Sequence, residues 1–173
     1  MRAFKDKVGN PINRRLKPLQ THCRAFKHTL KVLFMKVEVI DWYSVEECRK
    51  NRDKKVYVFG DNLMSRGKGG QAIIRDEPNA YGISTKAKPY RSEDSYFNDE
   101  GFEVYSLITD IEISTIKDLS EDKIIVFPKD GIGGGLAKMK EKAPKTYNYL
   151  CKRLKEEFGF DNETGSVVSL DSN

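Results

Sequence analysis

Two short glycine-rich segments contain the residues of this sequence that are best suited to bind a ligand. Residues 67–71 read Gly-Lys-Gly-Gly-Gln, and residues 131–136 read Gly-Ile-Gly-Gly-Gly-Leu. Glycine has no side chain to block close approach, so its backbone N–H groups can donate to an anion such as a phosphate. Either loop alone is equally typical of a simple turn. Together they predict a site that holds a diphosphate from two sides.

Both segments follow predicted buried strands. The runs at residues 56–59 and 123–127 are apolar and rich in strand-forming side chains. Residues 71–75 resume a pattern compatible with a helix, which Pro78 would end. A strand, a glycine loop and a helix start present N–H groups to an anion, and a helix terminus adds positive potential.

The spacing of the glycines excludes two familiar nucleotide-binding motifs. A Walker loop needs its first glycine closer to Gly67-Lys68 than Gly60 is, and Gly69 stands where that motif has Ser or Thr. Residues 67–72 match the dinucleotide fingerprint only loosely, and no acid follows at a strand end to hold a ribose. The loops therefore predict a phosphate site of another class.

Length and composition indicate one domain without a membrane span. The chain has 173 residues and no apolar stretch long enough to cross a bilayer. It also lacks the apolar centre of a secretory signal. The three cysteines, Cys23, Cys48 and Cys151, are widely spaced and odd in number, which favours free thiols in a reducing compartment. We expect a cytoplasmic monomer with no membrane partner, no cofactor and no metal.

The basic charge of the chain belongs to its N-terminal segment. Residues 1–34 hold nine Lys or Arg against one acid, a net charge of +8; since the whole chain carries +5, residues 35–173 carry −3. The mildly acidic body argues against a nucleic-acid surface there. We interpret residues 1–34 as a flexible extension, or a leader before a start at Met35; a nucleic-acid-binding or targeting arm is the alternative.

The body, residues 35–160, is expected to fold as an α/β domain followed by a polar, frayed tail at 161–173. Both histidines, His22 and His28, precede the body, so if residues 1–34 are dispensable we expect no histidine-based catalysis or metal binding. Further strands are predicted at 36–40 and 81–85. Ser44 and Glu47 form a capping box that predicts a short helix. Asn98-Asp99 is expected to begin a helix that reaches Leu119, with an inward face formed by Phe102, Tyr105, Ile108 and Ile111. A last helix is predicted from Pro144 to Gly159, with an apolar stripe formed by Tyr147, Leu150, Cys151, Leu154 and Phe158. Residues 111–116 also alternate like a strand.

The two glycine segments resemble those of macro domains, the α/β/α modules that bind ADP-ribose. In that family an apolar strand ends in an asparagine, and a leucine and a run of glycines lead into a helix. Residues 58–63 followed by 67–72 are similar to that segment. Residues 127–135 are similar to the second signature, a strand ending in Phe-Pro before a glycine-rich phosphate loop. The resemblance implies a three-layer fold with a central mixed sheet flanked by helices.

Within that family the chain resembles most the branch of the terminal ADP-ribose glycohydrolase, and it is also similar to small phage-encoded macro-like proteins. In that branch a lysine after a Thr-Lys strand end attacks the ribose, and Thr85-Lys86 is similar to it. The branch also places an aspartate in the second loop. Here Ala137 follows Gly135-Leu136, and Asp130 is the nearest acid.

The resemblance implies a role for four side chains and a set of ligand-binding residues in the two loops. Asn62, Lys86 and Asp130 would be catalytic: Asn62 at the distal ribose or a water, Lys86 as nucleophile and Asp130 as general base. Asp61 would bind the adenine amino group. The implied ligand-binding residues are Asp61, Asn62, Gly67, Gly69, Gly70, Gln71, Gly131, Ile132, Gly133, Gly134, Gly135 and Leu136.

Three function classes follow. The first is an enzyme that removes ADP-ribose from a modified macromolecule, and the second is an ADP-ribose-binding module without turnover. The third is a nucleic-acid-binding protein acting through residues 1–34, whose affinity would fall steeply with salt.

Overall fold

The computed structural model describes residues 35–168 and centres on a parallel sheet of four strands. The strands are β1 (Val37–Ile40), β2 (Lys55–Asn62), β3 (Ala80–Lys86) and β4 (Ile124–Pro128), in the order β1-β4-β2-β3. Every pairing between them is parallel. Parallel strands are covered on both faces, which explains why β2 and β4 are apolar runs rather than alternating ones. The predicted α/β fold with a central sheet flanked by helices is confirmed, but the sheet is parallel and not mixed as expected.

Four α-helices, three 3₁₀ turns and a hairpin complete the described residues. The helices are α1 (Val45–Lys50), α2 (Phe102–Leu119), α3 (Met139–Lys142) and α4 (Pro144–Phe158). The 3₁₀ turns span Gly70–Ile74, Glu93–Ser95 and Asp99–Gly101. The hairpin pairs β5 (Phe160–Asp161) with β6 (Ser166–Val167) in antiparallel register. None of these helices has the length and apolar character needed to span a membrane.

The sheet is the middle of three layers because successive side chains of a strand point to opposite faces. Val58 packs into the larger core with residues of α2 and α4. Tyr57 and Phe59 point the other way, into a second core with Cys48 of α1 and Ile74 of the first 3₁₀ turn. The two helical layers therefore bury alternate residues of the same strand.

Strands β2 and β4 separate towards their carboxyl ends. Their last paired residues are Tyr57 and Val126. The chain that follows β2 packs Ala72 and Ile74 on the face of α1, whereas the chain that follows β4 leads to α4 on the opposite face. In open α/β sheets a crevice opens where neighbouring strands send their connections to opposite faces, and ligands bind in it.

The predicted helix ends are confirmed at α1 and α4. The Ser44 hydroxyl accepts from the Glu47 N–H at 3.0 Å and caps α1. Helix α4 begins at Pro144, and Gly159 ends it with φ of +67°, which glycine adopts without strain. The predicted apolar stripe of α4 packs into the larger core.

The predicted inward face of α2 is wrong beyond its first turns. Ile111 is 58% exposed, whereas Thr109, Ile113 and Ile116 are buried. A spacing of three residues drifts around a helix with 3.6 residues per turn, so the buried face passes from Tyr105 to 109, 113 and 116. The alternative strand at 111–116 is not formed.

The expectation of a frayed tail is wrong for residues 161–168, which fold back on the second glycine loop. A side chain at Gly165 would lie 1.8 Å from the Lys129 carbonyl oxygen, so the hairpin turn approaches that loop in backbone contact. Asn162 is only 3% exposed. Residues 1–34 and 169–173 lie outside the described residues, so the predictions made for them, and the domain boundaries, stay predictions.

Candidate functional site

A cleft of about 330 Å³ lies at the carboxyl edge of the sheet, where β2 and β4 have separated. Most of the predicted site residues line it: Asp61, Asn62, Gly67, Gly69, Gly70, Gln71, Lys86, Asp130, Gly131, Gly133, Gly135 and Leu136. Ile132 and Gly134 do not. The volume is in the range of small-molecule sites in proteins.

The second loop offers a run of backbone donors. The N–H groups of residues 133–137 have no hydrogen-bond acceptor among the described residues. Gly131 and Gly133 have φ of +69° and +85°, a conformation that side chains disfavour and that is found in loops whose amides bind anions. Such a concave run of amides is an anion-binding arrangement.

Asn162 from the hairpin holds this loop in shape. Its Oδ1 accepts from the Ile132 N–H at 2.7 Å, and its Nδ2 donates to the Ile132 carbonyl at 2.9 Å. The Ile132 side chain is buried in the core. The Ile132 peptide is therefore already paired within the protein, and its predicted ligand contact stays a prediction. Nothing in the sequence around Asn162 signals this contact across 30 residues.

The first loop also leaves its donors unpaired, although no α-helix follows it. The N–H groups of residues 67–70 have no acceptor among the described residues. The segment after them is the five-residue 3₁₀ turn Gly70–Ile74. The predicted helix terminus is thus replaced by a short turn, which leaves the loop amides as the backbone donors of this segment.

Gln71 joins the two loops through its side-chain amide. Its Oε1 accepts from the Gly60 N–H at 3.1 Å, and its Nε2 donates to the Gly131 carbonyl at 2.8 Å. Deeper in the same gap, the Tyr43 hydroxyl donates towards the carbonyls of Val58, at 2.5 Å, and Val126, at 3.2 Å. Burial raises the pKa of Tyr43 well above its usual value, so it remains a donor. These two side chains bridge the gap between the separated strands.

Asn62 shapes the first loop with its amide. Its Nδ2 donates to the Arg66 carbonyl at 2.8 Å, and its Oδ1 accepts from the Met64 N–H at 3.2 Å. The pairing of β2 with β3 shifts register between Asp61 and Asn62, a bulge of the kind that re-aims side chains beside functional sites. Asn62 lies in the cleft, but these bonds indicate a role in forming the loop.

Asp61 and Arg75 form a largely buried ion pair beneath the first loop. Arg75 Nε also donates to the Gly67 carbonyl at 2.8 Å, so the guanidinium connects the glycine loop to the end of β2. Because its carboxylate is engaged by Arg75, Asp61 also supports the loop. Arg75 gave no functional signal in the sequence, where it reads as the end of a helix.

Two of the three predicted catalytic side chains remain chemically available in the cleft. Lys86, at the end of β3, is 8% exposed, and its ammonium lies 4.2 Å from the centroid of the Tyr96 ring. Asp130 is exposed on the second loop. An amine and a carboxylate on the walls of one cleft are side chains that can serve as a nucleophile and a general base.

A half-buried carboxylate on α2 lies near this site. Glu112 accepts from the Ser84 N–H at 2.8 Å and from its hydroxyl at 2.6 Å. Burial raises the pKa of Glu112, an effect that the Ser84 hydrogen bonds oppose and the nearby Asp61 charge reinforces. Ser84 lies in the edge strand β3, so its N–H has no neighbouring strand to bond to, and Glu112 accepts from it instead.

Residues 38–153 match the model of a family of unknown function, DUF7831. The chain belongs to this family. No curated protein and no solved structure matches the chain.

The DUF7831 match contains every residue that lines the cleft, whereas the hairpin with Asn162 lies beyond it. It also contains cleft residues that the sequence analysis missed: Asp41, Trp42, Tyr43, Arg66, Arg75 and Pro89. Trp42 is 82% exposed at the cleft, and Asp41 pairs with Lys129 at 3.0 Å. A usable signal existed, because residues 41–43 directly follow β1 and the carboxyl ends of parallel strands share one edge. No group of three or more His, Cys, Asp or Glu in residues 35–168 is placed to hold a metal ion.

Proposed function

We propose that this DUF7831 chain binds ADP-ribose, or a related ADP-ribosyl diphosphate, in the cleft between the two glycine loops. One observation carries the proposal. Both loops line one crevice between separated parallel strands, and their backbone N–H groups at residues 67–70 and 133–137 have no acceptor among the described residues. The resemblance of both segments to macro domains supplies the identity of the ligand.

The physical argument concerns where the negative charge would be placed. A diphosphate has oxygens on two adjacent phosphorus atoms, so donors from two loops can act on it together. Charge-assisted hydrogen bonds of this kind contribute roughly 1.5–3 kcal/mol each. Amide donors fixed by the surrounding structure need no reorganisation on binding. The bridge of Gln71 between Gly60 and Gly131 fixes the two loops relative to each other.

Removal of ADP-ribose from a modified macromolecule is a second candidate. It is favoured by Lys86 and Asp130, which line the same cleft and are not engaged in shaping the loops. An ADP-ribose-binding module without turnover is favoured instead by Ala137, which stands where the glycohydrolase branch has its aspartate, and by the engagement of Asn62 within its own loop. A nucleic-acid role through residues 1–34 concerns residues outside those described.

Isothermal titration calorimetry with ADP-ribose tests the proposal. We expect saturable one-site binding, with much weaker binding of AMP, which lacks the second phosphate, and of ribose 5-phosphate. Absence of binding at millimolar ADP-ribose, by protein with a cooperative melting transition, would refute the proposal. Incubation with ADP-ribosylated protein and ADP-ribosylated oligonucleotide then separates the two candidates, because only the enzyme releases free ADP-ribose.

A further inference from the structure

Lys86 is the lysine that the fold buries most completely among residues 35–168, and its charge has no carboxylate partner there. The two lysines near it differ in this respect. Lys88 pairs with Asp94, and Lys142 pairs with Glu93 at 2.7 Å. Buried charges in proteins are paired or hydrogen-bonded because an isolated one is costly to desolvate. The Lys86 ammonium therefore lies in the cleft as a cation whose counter-charge must come from elsewhere.

The ring of Tyr96 is the group that the Lys86 ammonium contacts, at 4.2 Å from the ring centroid. The backbone around Tyr96 is held firmly. Tyr96 forms an antiparallel bridge with Lys86, and the Ser95 carbonyl accepts from the N–H groups of Ala87, at 2.9 Å, and Lys88, at 3.2 Å. Ser95 is fully buried. The backbone that carries the ring is thus fixed against the end of β3, independently of any ligand.

We propose that Tyr96 positions the Lys86 ammonium, and that Lys86 acts in the cleft as a fixed positive charge for a ligand phosphate rather than as an attacking amine. The identity of that ligand rests on the proposed function. The contact between Lys86 and Tyr96 does not, because it is a feature of the protein alone.

The chemistry of the contact separates the two roles. The face of an aromatic ring carries negative potential and attracts a cation within about 6 Å of its centroid. A neutral amine, which alone has the lone pair needed to attack a ribose carbon, gains no such attraction. The contact with the ring therefore suits a cation that binds anions and not an attacking amine. Tyr96 does not neutralise the charge, so the ammonium remains available to a phosphate on its open side.

Four variants test the two halves of the proposal. Lys86→Met removes the charge at similar length, and we expect ADP-ribose affinity to fall at least tenfold. Tyr96→Leu removes the ring, and we expect a threefold to tenfold loss, whereas Tyr96→Phe keeps the ring face and the wild-type affinity. Tyr96→Gln is a second ring-free variant in case the leucine variant does not fold. Thermal melting establishes that each variant is folded.

Reductive methylation measures the position of Lys86 without any ligand. In this reaction a neutral amine attacks formaldehyde, water leaves, and cyanoborohydride reduces the imine. Mass spectrometry then gives the labelling rate of Lys86 relative to the exposed Lys152. We expect this ratio to rise at least threefold in the ring-free variants and to stay unchanged in Tyr96→Phe. An equal ratio in all three would overturn the positioning role of Tyr96.

The charge role has its own decisive outcomes. Wild-type affinity in a folded Lys86→Met variant would overturn it. So would an ADP-ribose adduct on Lys86, trapped when wild-type protein is incubated with ADP-ribosylated substrate and cyanoborohydride, because such an adduct requires an attacking amine. If wild-type protein does not bind ADP-ribose, the proposed function and the phosphate role fail together. The methylation ratios still decide the role of Tyr96.

Discussion

Valine at Gly135 is expected to abolish ADP-ribose binding while leaving the fold intact. Gly135 lines the cleft, and a side-chain carbon built on it meets no protein atom within 4 Å. Gly135 does not have a positive φ, so valine can adopt its backbone conformation without strain. The new branched carbons would occupy the space in which phosphate oxygens approach the loop amides. The substitution should therefore weaken ligand binding without destabilising the free protein.

The magnitude follows from the donors that the valine would obstruct. Losing two charge-assisted hydrogen bonds, at roughly 1.5–3 kcal/mol each, weakens binding about a hundredfold or more. The unfolding free energy of the free protein should change by no more than about 0.5 kcal/mol, as for other exposed substitutions. Calorimetry with ADP-ribose and urea denaturation measure the two quantities on the same protein.

The same loop provides two matched controls. Gly134 is equally open but does not line the cleft, so Gly134→Val should weaken binding less than Gly135→Val. Gly133 has φ of +85°, and its added carbon would lie 2.7 Å from the Met139 sulfur. Gly133→Val should therefore destabilise the fold itself, by about 1–3 kcal/mol for the backbone strain alone. A folded Gly135→Val variant with wild-type affinity would show that this loop does not contact the ligand.

Four further outcomes are expected. Asn162→Ala leaves the buried Ile132 peptide unpaired and should lower the unfolding free energy by about 2–4 kcal/mol, measured by urea denaturation; a change below about 0.5 kcal/mol would contradict the role of Asn162. Gln71→Ala should weaken ADP-ribose binding about tenfold with a smaller effect on melting, because it breaks the contact that connects the loops; equal affinity would contradict that role. Burial raises the pKa of Glu112 above its ordinary 4.5. The stability that Glu112 contributes is therefore fully present below that value and is lost as the pH rises through the pKa of the folded state. The Glu112→Gln variant should have a higher melting temperature than the wild type at pH 7, and the difference should shrink towards pH 4. A chain beginning at Met35 should melt cooperatively and keep ADP-ribose binding, whereas an unfolded product would place residues 1–34 in the core.

The elements were predictable because their signals are local. The apolar runs of β2 and β4, the Ser44 cap and the Gly159 stop each lie within a few residues of the feature they determine. The meeting of the two glycine loops was also predictable, since the ends of adjacent parallel strands lie at one edge.

The roles within the site were less predictable because they depend on contacts between distant residues. Gln71 was expected to face the ligand, but it contacts Gly131, 60 residues away. Asn162 was placed in a frayed tail because its partner, Ile132, lies on another loop. Side-chain amides satisfy whichever backbone groups the tertiary structure leaves unpaired, and the sequence around each amide does not identify those groups.

The exposed Trp42 gives the cleft a built-in optical reporter. It is the single tryptophan of the chain, so all indole emission comes from one ring, and that ring lies at the cleft with 82% of its surface in water. A molecule that enters beside it replaces water around the indole, which changes the wavelength and intensity of its fluorescence. Occupancy of the cleft is therefore readable on unmodified protein. Residues 1–34 contain no tryptophan, so they contribute no background indole signal. A library of nucleotides and sugar phosphates can thus be surveyed by emission before any ligand is chosen for calorimetry.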